Sequence, residues 1–149
     1  MASDPNLDLM LRYNRLWDAA HLEGAGEVLS PSFARHGSSG SFVGVAAFKS
    51  YVRHFLAAFP DGRFAPEQWI STPGEVVVRY RFRGSHRGGD FLGVPASGRT
   101  ITAGGVGIYR LEGGRLAELW DYLDMLQLVR GDLAYAVTES FAATDTRGR

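Results

Sequence analysis

The run Gly113-Gly114-Arg115-Leu116-Ala117-Glu118-Leu119-Trp120-Asp121-Tyr122-Leu123-Asp124 sets two carboxylates at the end of a stretch with the composition of a buried strand. Just before it, Leu111-Glu112-Gly113-Gly114 separates two apolar, aromatic-rich segments, which is a hairpin signal. Pairing Leu111 with Leu116 sets Ile108 opposite Leu119 and Val106 opposite Asp121. Side chains alternate, so Val106, Ile108, Ala117, Leu119 and Asp121 share one face, and Tyr109, Glu118, Trp120 and Tyr122 take the other. A carboxyl group on an apolar face is either matched by a partner or prepared for acid/base work near neutral pH. The plainer account of an Asp at a strand end is a helix cap or a solvated loop residue. That account suits Asp124, which precedes the short apolar run Met125-Leu126-Gln127-Leu128-Val129 and reads as an N-cap.

Other chemistries find little support. The chain has no cysteine, which removes disulfides, thiolate nucleophiles and sulfur-ligated zinc. None of the four histidines, His21, His36, His54 and His86, lies three to five residues from another, so no sequence-local metal site is indicated. Lys49 is the single Schiff-base candidate, at ordinary helical spacing. Gly104-Gly105-Val106-Gly107 sits within a strand and lacks the lysine of a phosphate loop; it reads as backbone spacing, with Gly105 and Gly107 covered by the Trp120 ring. Sixteen basic and sixteen acidic side chains cancel, which disfavours binding to nucleic acid or an anionic membrane. No signal segment and no run near the roughly 18 to 20 apolar residues of a membrane span is present, so a soluble, cytoplasmic protein is expected.

The elements that must position Asp121 can be read from periodicity. From Asp4 to about His21 the residues Leu7, Met10, Tyr13, Leu16, Trp17 and Ala20 recur at helical spacing, with Asp4 as N-cap and Pro5 at the first position. Gly24 to Leu29 predicts a second short helix, and Phe33-Ala34-Arg35-His36 a brief extended piece before a flexible Gly37-Ser38-Ser39-Gly40 loop. A third helix spans about Val45 to Phe59, with Phe48, Tyr51, Val52, Phe55, Leu56 and Phe59 as its stripe and Pro60 as its stop. Strands follow near Phe64 to Ser71, Glu75 to Gly84, Ser85 to Phe91, Arg99 to Leu111 and Arg115 to Leu123. Helices first and a strand meander afterwards predict an α+β cone, a curved antiparallel sheet with the helices on its concave face. At 149 residues one domain is expected, over 1–137, with a small, polar tail over 138–149 expected to be disordered.

The order of these segments resembles the SnoaL-like polyketide cyclases of the NTF2-like superfold. The resemblance covers about residues 5 to 130 and is carried by Phe33-Ala34-Arg35-His36, Ala58-Phe59-Pro60-Asp61, Arg83-Gly84-Ser85-His86-Arg87-Gly88, Phe91 to Arg99 and Tyr109 to Asp121. It implies a cone with a deep apolar pocket, no metal, no cofactor, and commonly an oligomer formed through the outer sheet face. Founding members close a ring of an aromatic polyketide by intramolecular aldol condensation, with an inward Asp as acid and base. Asp121 looks equivalent to that residue, and His36 and His86 match histidines of the family. Tyr13 corresponds to a pocket tyrosine on the first helix. Leu119 departs from the histidine that many relatives carry before the Trp, and Gly104 gives the pocket no side chain.

The expected function is acid/base catalysis on a bulky, apolar, carbonyl-bearing small molecule. Asp121 would take a proton beside a carbonyl, and His36 or His86 would hydrogen bond the developing oxyanion. Tyr13, Trp17, Phe59, Val106, Ile108 and Leu119 are the expected pocket walls. Two alternatives stand beside it: a non-catalytic module that binds a ligand or a protein, which Leu119 and Gly104 favour, and an epoxide-opening enzyme, which needs a second acid. An outward Tyr109, Trp120 and Tyr122 surface suits homodimerisation in either case.

Overall fold

The computed structural model describes residues 4–129; the expected domain end at 137 and the tail 138–149 lie outside them. Helix α1 covers Pro5–Arg15, and the Asp4 side chain accepts a hydrogen bond from the Asn6 amide as its cap. It stops short of the expected His21. The Asp18 carboxylate accepts from the Ala20 amide at 3.0 Å, a local turn that competes with the helical ladder, and a 3-10 turn at Leu22–Gly24 leads into α2, Ala25–Val28. Helix α3, Val45–Ala58, buries Phe48, Val52, Phe55 and Ala58. Phe59 then leaves helical geometry, as a residue before proline does.

The strands are β1 Leu29–Gly37, β2 Gly40–Val43, β3 Arg63–Ser71, β4 Glu75–Ser85, β5 Thr100–Glu112 and β6 Arg115–Leu123, followed by the short α4, Met125–Val129. They form one sheet in the order β2-β1-β6-β5-β4-β3. The α+β architecture is as expected, with two corrections in the sheet. It is mixed, because β1 runs parallel to β6, while every other pair is antiparallel. The expected loop at Gly37 to Gly40 is the tight turn of the β1–β2 hairpin. No strand forms from Ser85 to Phe91. This segment lies instead against the end of α3, with the Gly88 amide donating to Ala58 O at 3.1 Å, and a Cβ at Gly88 would fall 1.5 Å from Ala57 O.

Helices α1 and α3 cover one face. Leu9, Met10 and Tyr13 from α1 and Phe48, Val52 and Phe55 from α3 join Val76, Val78, Tyr80 and Phe82 of β4 and Leu116, Leu119 and Leu123 of β6 in one buried cluster.

The β5–β6 hairpin decides what faces inward. Its turn uses Gly113 and Gly114 at φ 60° and 75°, a left-handed pair that glycine adopts without strain. Leu111 pairs with Leu116 as expected, but the next pair is Arg110 with Glu118, so Ala117 is an extra residue in β6. From there Tyr109 faces Leu119, Gly107 faces Asp121, Ile108 faces Trp120 and Val106 faces Tyr122. Asp121 points to the helix-covered face, with Tyr109 beside it. Val106 and Ile108 point away, against the expectation, because the bulge moves β5 by one residue relative to the simple register.

Asp124 caps α4: its carboxylate accepts from the Gln127 amide at 3.0 Å. Asp124→Ala should lower stability by about 0.5–2 kcal/mol, read by denaturant titration, and leave the Asp121 region unchanged. Among the described residues no helix is long and apolar enough to cross a membrane.

Candidate active site

Three strands bring the polar centre together. Pairing of β1 with β6 sets Arg35 opposite Leu119 and Gly37 opposite Asp121, while β4 and β5 set Tyr80 opposite Gly105. Arg35 Nη2 donates to Asp121 Oδ2 at 2.9 Å, and Tyr80 Oη donates to Asp121 Oδ1 at 2.6 Å. The side chains of Arg35 and Asp121 are 3% and 12% exposed, so this is a buried ion pair. The guanidinium also lies 4.4 Å from the centroid of the Tyr51 ring, a cation–π contact. Burial works against the charge of Arg35, but Tyr51 and Asp121 outweigh it and hold the guanidinium above its ordinary range.

Asp121 borders a cavity of about 30 Å³ lined by Tyr13, Trp17, Phe64, Val78, Tyr80 and Tyr109. Its walls are mostly aromatic, and the expected aliphatic walls Val106, Ile108 and Leu119 are not among them. A space of that size holds a water or two. Tyr13 and Tyr109 meet edge to face at 5.2 Å. The two large rings on β4 and β5 are seated by absent side chains: a Cβ at Gly105 would lie 2.4 Å from Tyr80 Cζ, and one at Gly107 would lie 2.7 Å from Tyr109 Cε2. Glycine spacing under an aromatic was the right reading, but the covering rings are Tyr80 and Tyr109, since Trp120 lies on the other face.

The phenols are locked in their protonated form. Burial, then the charge of Asp121, pushes Tyr13 and Tyr80 well above the ordinary tyrosine value; burial, then Tyr13 and Asp121, does the same for Tyr109, and burial raises Tyr51. Because the folded phenols hold their protons after unfolded ones release them, stability is retained below pH 10 and falls as pH rises beyond it. Alkaline titration of tyrosinate absorbance should therefore show these four of the six tyrosines ionising only as the chain unfolds. Their titration near pH 10 with the fold intact would contradict the burial described.

The remaining sequence candidates are dispersed. His36 follows inward Arg35 and so points outward, where Nε2 meets Glu118 Oε2 at 2.7 Å and the ring stacks on Trp120. That hydrogen bond, with help from Arg110, lowers the Glu118 pKa. His86 is buried, but its Nε2 meets Gly89 O at 2.9 Å and its ring packs on Phe59. Phe59 belongs to that aromatic cluster, with Phe55, Phe82 and Phe91, and does not line the cavity. Leu119 is buried on the inner face without bordering the cavity. Of the expected set, Asp121, Tyr13 and Trp17 come together. Arg35, Tyr80, Tyr109, Tyr51 and Phe64 complete the site and were missed.

A larger open groove of about 370 Å³ shares Tyr80 with the inner cavity and is otherwise bordered by Glu67, Arg79, Arg81, Val106, Tyr122 and Asp124 among others. It lacks both Asp121 and Arg35, so the small inner cavity is the chemically equipped one. Among the described residues no cluster of three or more His, Asp or Glu could hold a metal ion.

A curved six-stranded sheet with helices over one face and a carboxylate beneath them defines an NTF2-like α+β protein. The profile of the SnoaL-like polyketide cyclases matches residues 7–131, and the chain belongs to that family. Among solved structures it is similar to a SnoaL-like protein from Jannaschia sp. CCS1, with a TM-score of 0.76 and 22% identity, over 86% of this chain and 94% of that one. It is similar also to TsrD from Streptomyces laurentii, with a TM-score of 0.77 and 23% identity, over 87% and 96% of the two chains. A polyketide-cyclase-like protein from Acidithiobacillus ferrooxidans has a TM-score of 0.75 and 25% identity, over 91% and 99%. No curated protein matches the sequence.

Proposed function

We propose that the protein is an acid/base catalyst of the cyclase type, which removes a proton beside a carbonyl of an apolar substrate and closes a ring by aldol addition. One observation carries this reading: the Asp121 carboxylate is held by Arg35 and Tyr80, one bond to each oxygen, in a cavity lined with aromatic rings. A carboxylate offers about four acceptor directions, so capacity remains for a substrate proton. Asp121 takes the proton from carbon, and the electron pair of the C–H bond becomes the enolate. The phenols of Tyr13 and Tyr109, protonated throughout, are suited to donate to the enolate oxygen. The enolate carbon forms a bond to a second carbonyl of the same molecule, and the proton on Asp121 passes to the new alkoxide. His36 and His86 have no part in this scheme, since one lies on the opposite face and the other is engaged by Gly89.

Epoxide opening by a carboxylate pair is less well served, because Asp121 is the single carboxylate among the cavity's lining residues. The exposed Val106 and Tyr122 next to Trp120 and Ile108 suit contact with a second copy through the outer sheet face.

The test is exchange at carbon. In D2O, the protein should speed deuterium uptake beside the ketone of an aromatic β-diketone, followed by NMR, and Asp121→Asn should lose that effect. Equal exchange with both proteins would overturn the assignment of the base.

A further inference from the structure

The cavity at Asp121 is too small for a ring-forming substrate as it stands, yet its wall is shared with a second depression. A groove of about 140 Å³ is bordered by Asn14, Trp17, Asp18, Gly62, Arg63 and Phe64. Trp17 and Phe64 belong to both linings, and their rings meet at 4.7 Å. They form a partition between the cavity of the buried carboxylate and this groove.

The two residues differ in how they are held. Phe64 lies in β3 and packs on Phe55, Tyr80 and Phe82, within the sheet core. Trp17 lies in the turn after α1, where its amide is held by one bond of 3.3 Å to Asn14 O in place of the helical ladder, and meets Phe48, Tyr51 and Phe55 edge-on. The far end of α1 is tied down, with the Asn6 amide side chain donating to Thr72 O at 2.7 Å. Motion is therefore cheapest at the Trp17 end. Beyond the partition the groove changes character: Asn14 both donates and accepts, Asp18 accepts and Arg63 donates, and both Asp18 and Arg63 are exposed.

We propose that Trp17 is the gate and a specificity-determining residue: the substrate passes between Trp17 and Phe64, leaving its carbonyl end at Asp121 and a hydroxylated far end in the Asn14–Asp18–Arg63 groove. The proposal rests on the acid/base reading only for which end goes in. The ligand class is an elongated, planar molecule with a carbonyl at one end and a hydroxyl at the other. A hydroxyl suits the groove because it both gives and takes hydrogen bonds, which matches a lining that holds an acid and a guanidinium.

Two probes separate the parts, 2-acetylnaphthalene and its 6-hydroxy derivative, followed by stopped-flow protein fluorescence. Trp17→Ala should speed association and dissociation of both by about tenfold, because binding no longer waits for a side-chain movement. Trp120→Phe, on the outer face, should change neither rate. Asp18→Ala and Arg63→Ala should weaken the hydroxylated probe by about threefold to tenfold, the range of one hydrogen bond, and leave the parent unaffected. Asp121→Asn should keep the association rates, so exchange that persists in that variant with these rates intact sinks the catalytic reading and not the gate. Where Trp17→Ala fails to fold, Phe64→Leu serves, with a smaller acceleration. Unchanged association in the gate variants, or no binding of either probe to wild type and gate variants alike, overturns the proposal.

Discussion

Arg35→Met is expected to destabilise the fold by about 3–5 kcal/mol, the usual cost of leaving one member of a buried ion pair alone. The expectation follows from the burial of both partners, at 3% and 12% exposure, and from a separation of 2.9 Å. Methionine keeps much of the arginine's length and apolar stem, so lost packing contributes little. The stranded group is Asp121, with the Tyr80 hydrogen bond as its remaining support. Arg35→Met combined with Asp121→Leu should recover most of the loss, since two apolar side chains remove the desolvation cost with the charges. Urea titration of the four proteins gives a double-mutant cycle, and the coupling should be at least 2 kcal/mol, roughly the upper part of the range for contacting residues. Arg35→Met within about 1 kcal/mol of wild type would mean that the pair is solvated, against the burial described.

Asp121→Asn is expected to lower the rate of proton abstraction by about 10²–10⁴-fold, the usual contribution of a positioned base. The amide keeps the size of the carboxyl and can still accept from Arg35, but it has no basic oxygen for a carbon-bound proton. The loss should fall on kcat more than on KM, because the cavity walls are untouched. With Arg35 beneath it, a second effect is expected: the guanidinium loses its counter-charge, so the variant should also unfold at lower denaturant. Asp121→Asn with Arg35→Met separates the two, since it should regain stability while remaining inactive. A variant that turns over substrate at the wild-type rate would exclude Asp121 as the base.

Much of the scaffold was legible because its signals are local. The stripe from Phe48 to Phe55, the stop at Pro60 and the cap at Asp4 are each read within one or two turns of chain. The segment Glu75 to Gly84 was legible as a strand, and its alternation Val76, Val78, Tyr80, Phe82 contained a signal that went unused. Tyr80 shares a face with three apolar residues, which marks a phenol needing a partner inside. Arg35 gave the same sign by sharing a face with Phe33, two residues earlier, and both are buried. What no short segment reveals is the meeting of β1 with β6, more than 80 residues apart in the chain at the Arg35–Asp121 bond. That long-range parallel pairing brings the cation to the carboxylate. The histidines misled for the opposite reason: a titratable side chain stood out by type, while the side it faced depended on its neighbour, inward Arg35 leaving His36 outside.

The extra residue at Ala117 has a consequence for any transfer of roles between relatives by aligned position. It acts as a phase offset: Leu116 and Ala117 are both buried, and only beyond them does the odd–even rhythm of β6 settle with 119, 121 and 123 inside. A homologue that pairs this residue within the ladder instead of bulging it would set its acid opposite the Val106 slot and send the carboxylate to solvent, whereas one that lacks the residue altogether keeps the acid opposite the Gly107 slot and inside. The β5 position opposite the acid, rather than its distance in sequence from the double-glycine turn, thus tells which family members keep the carboxylate inside.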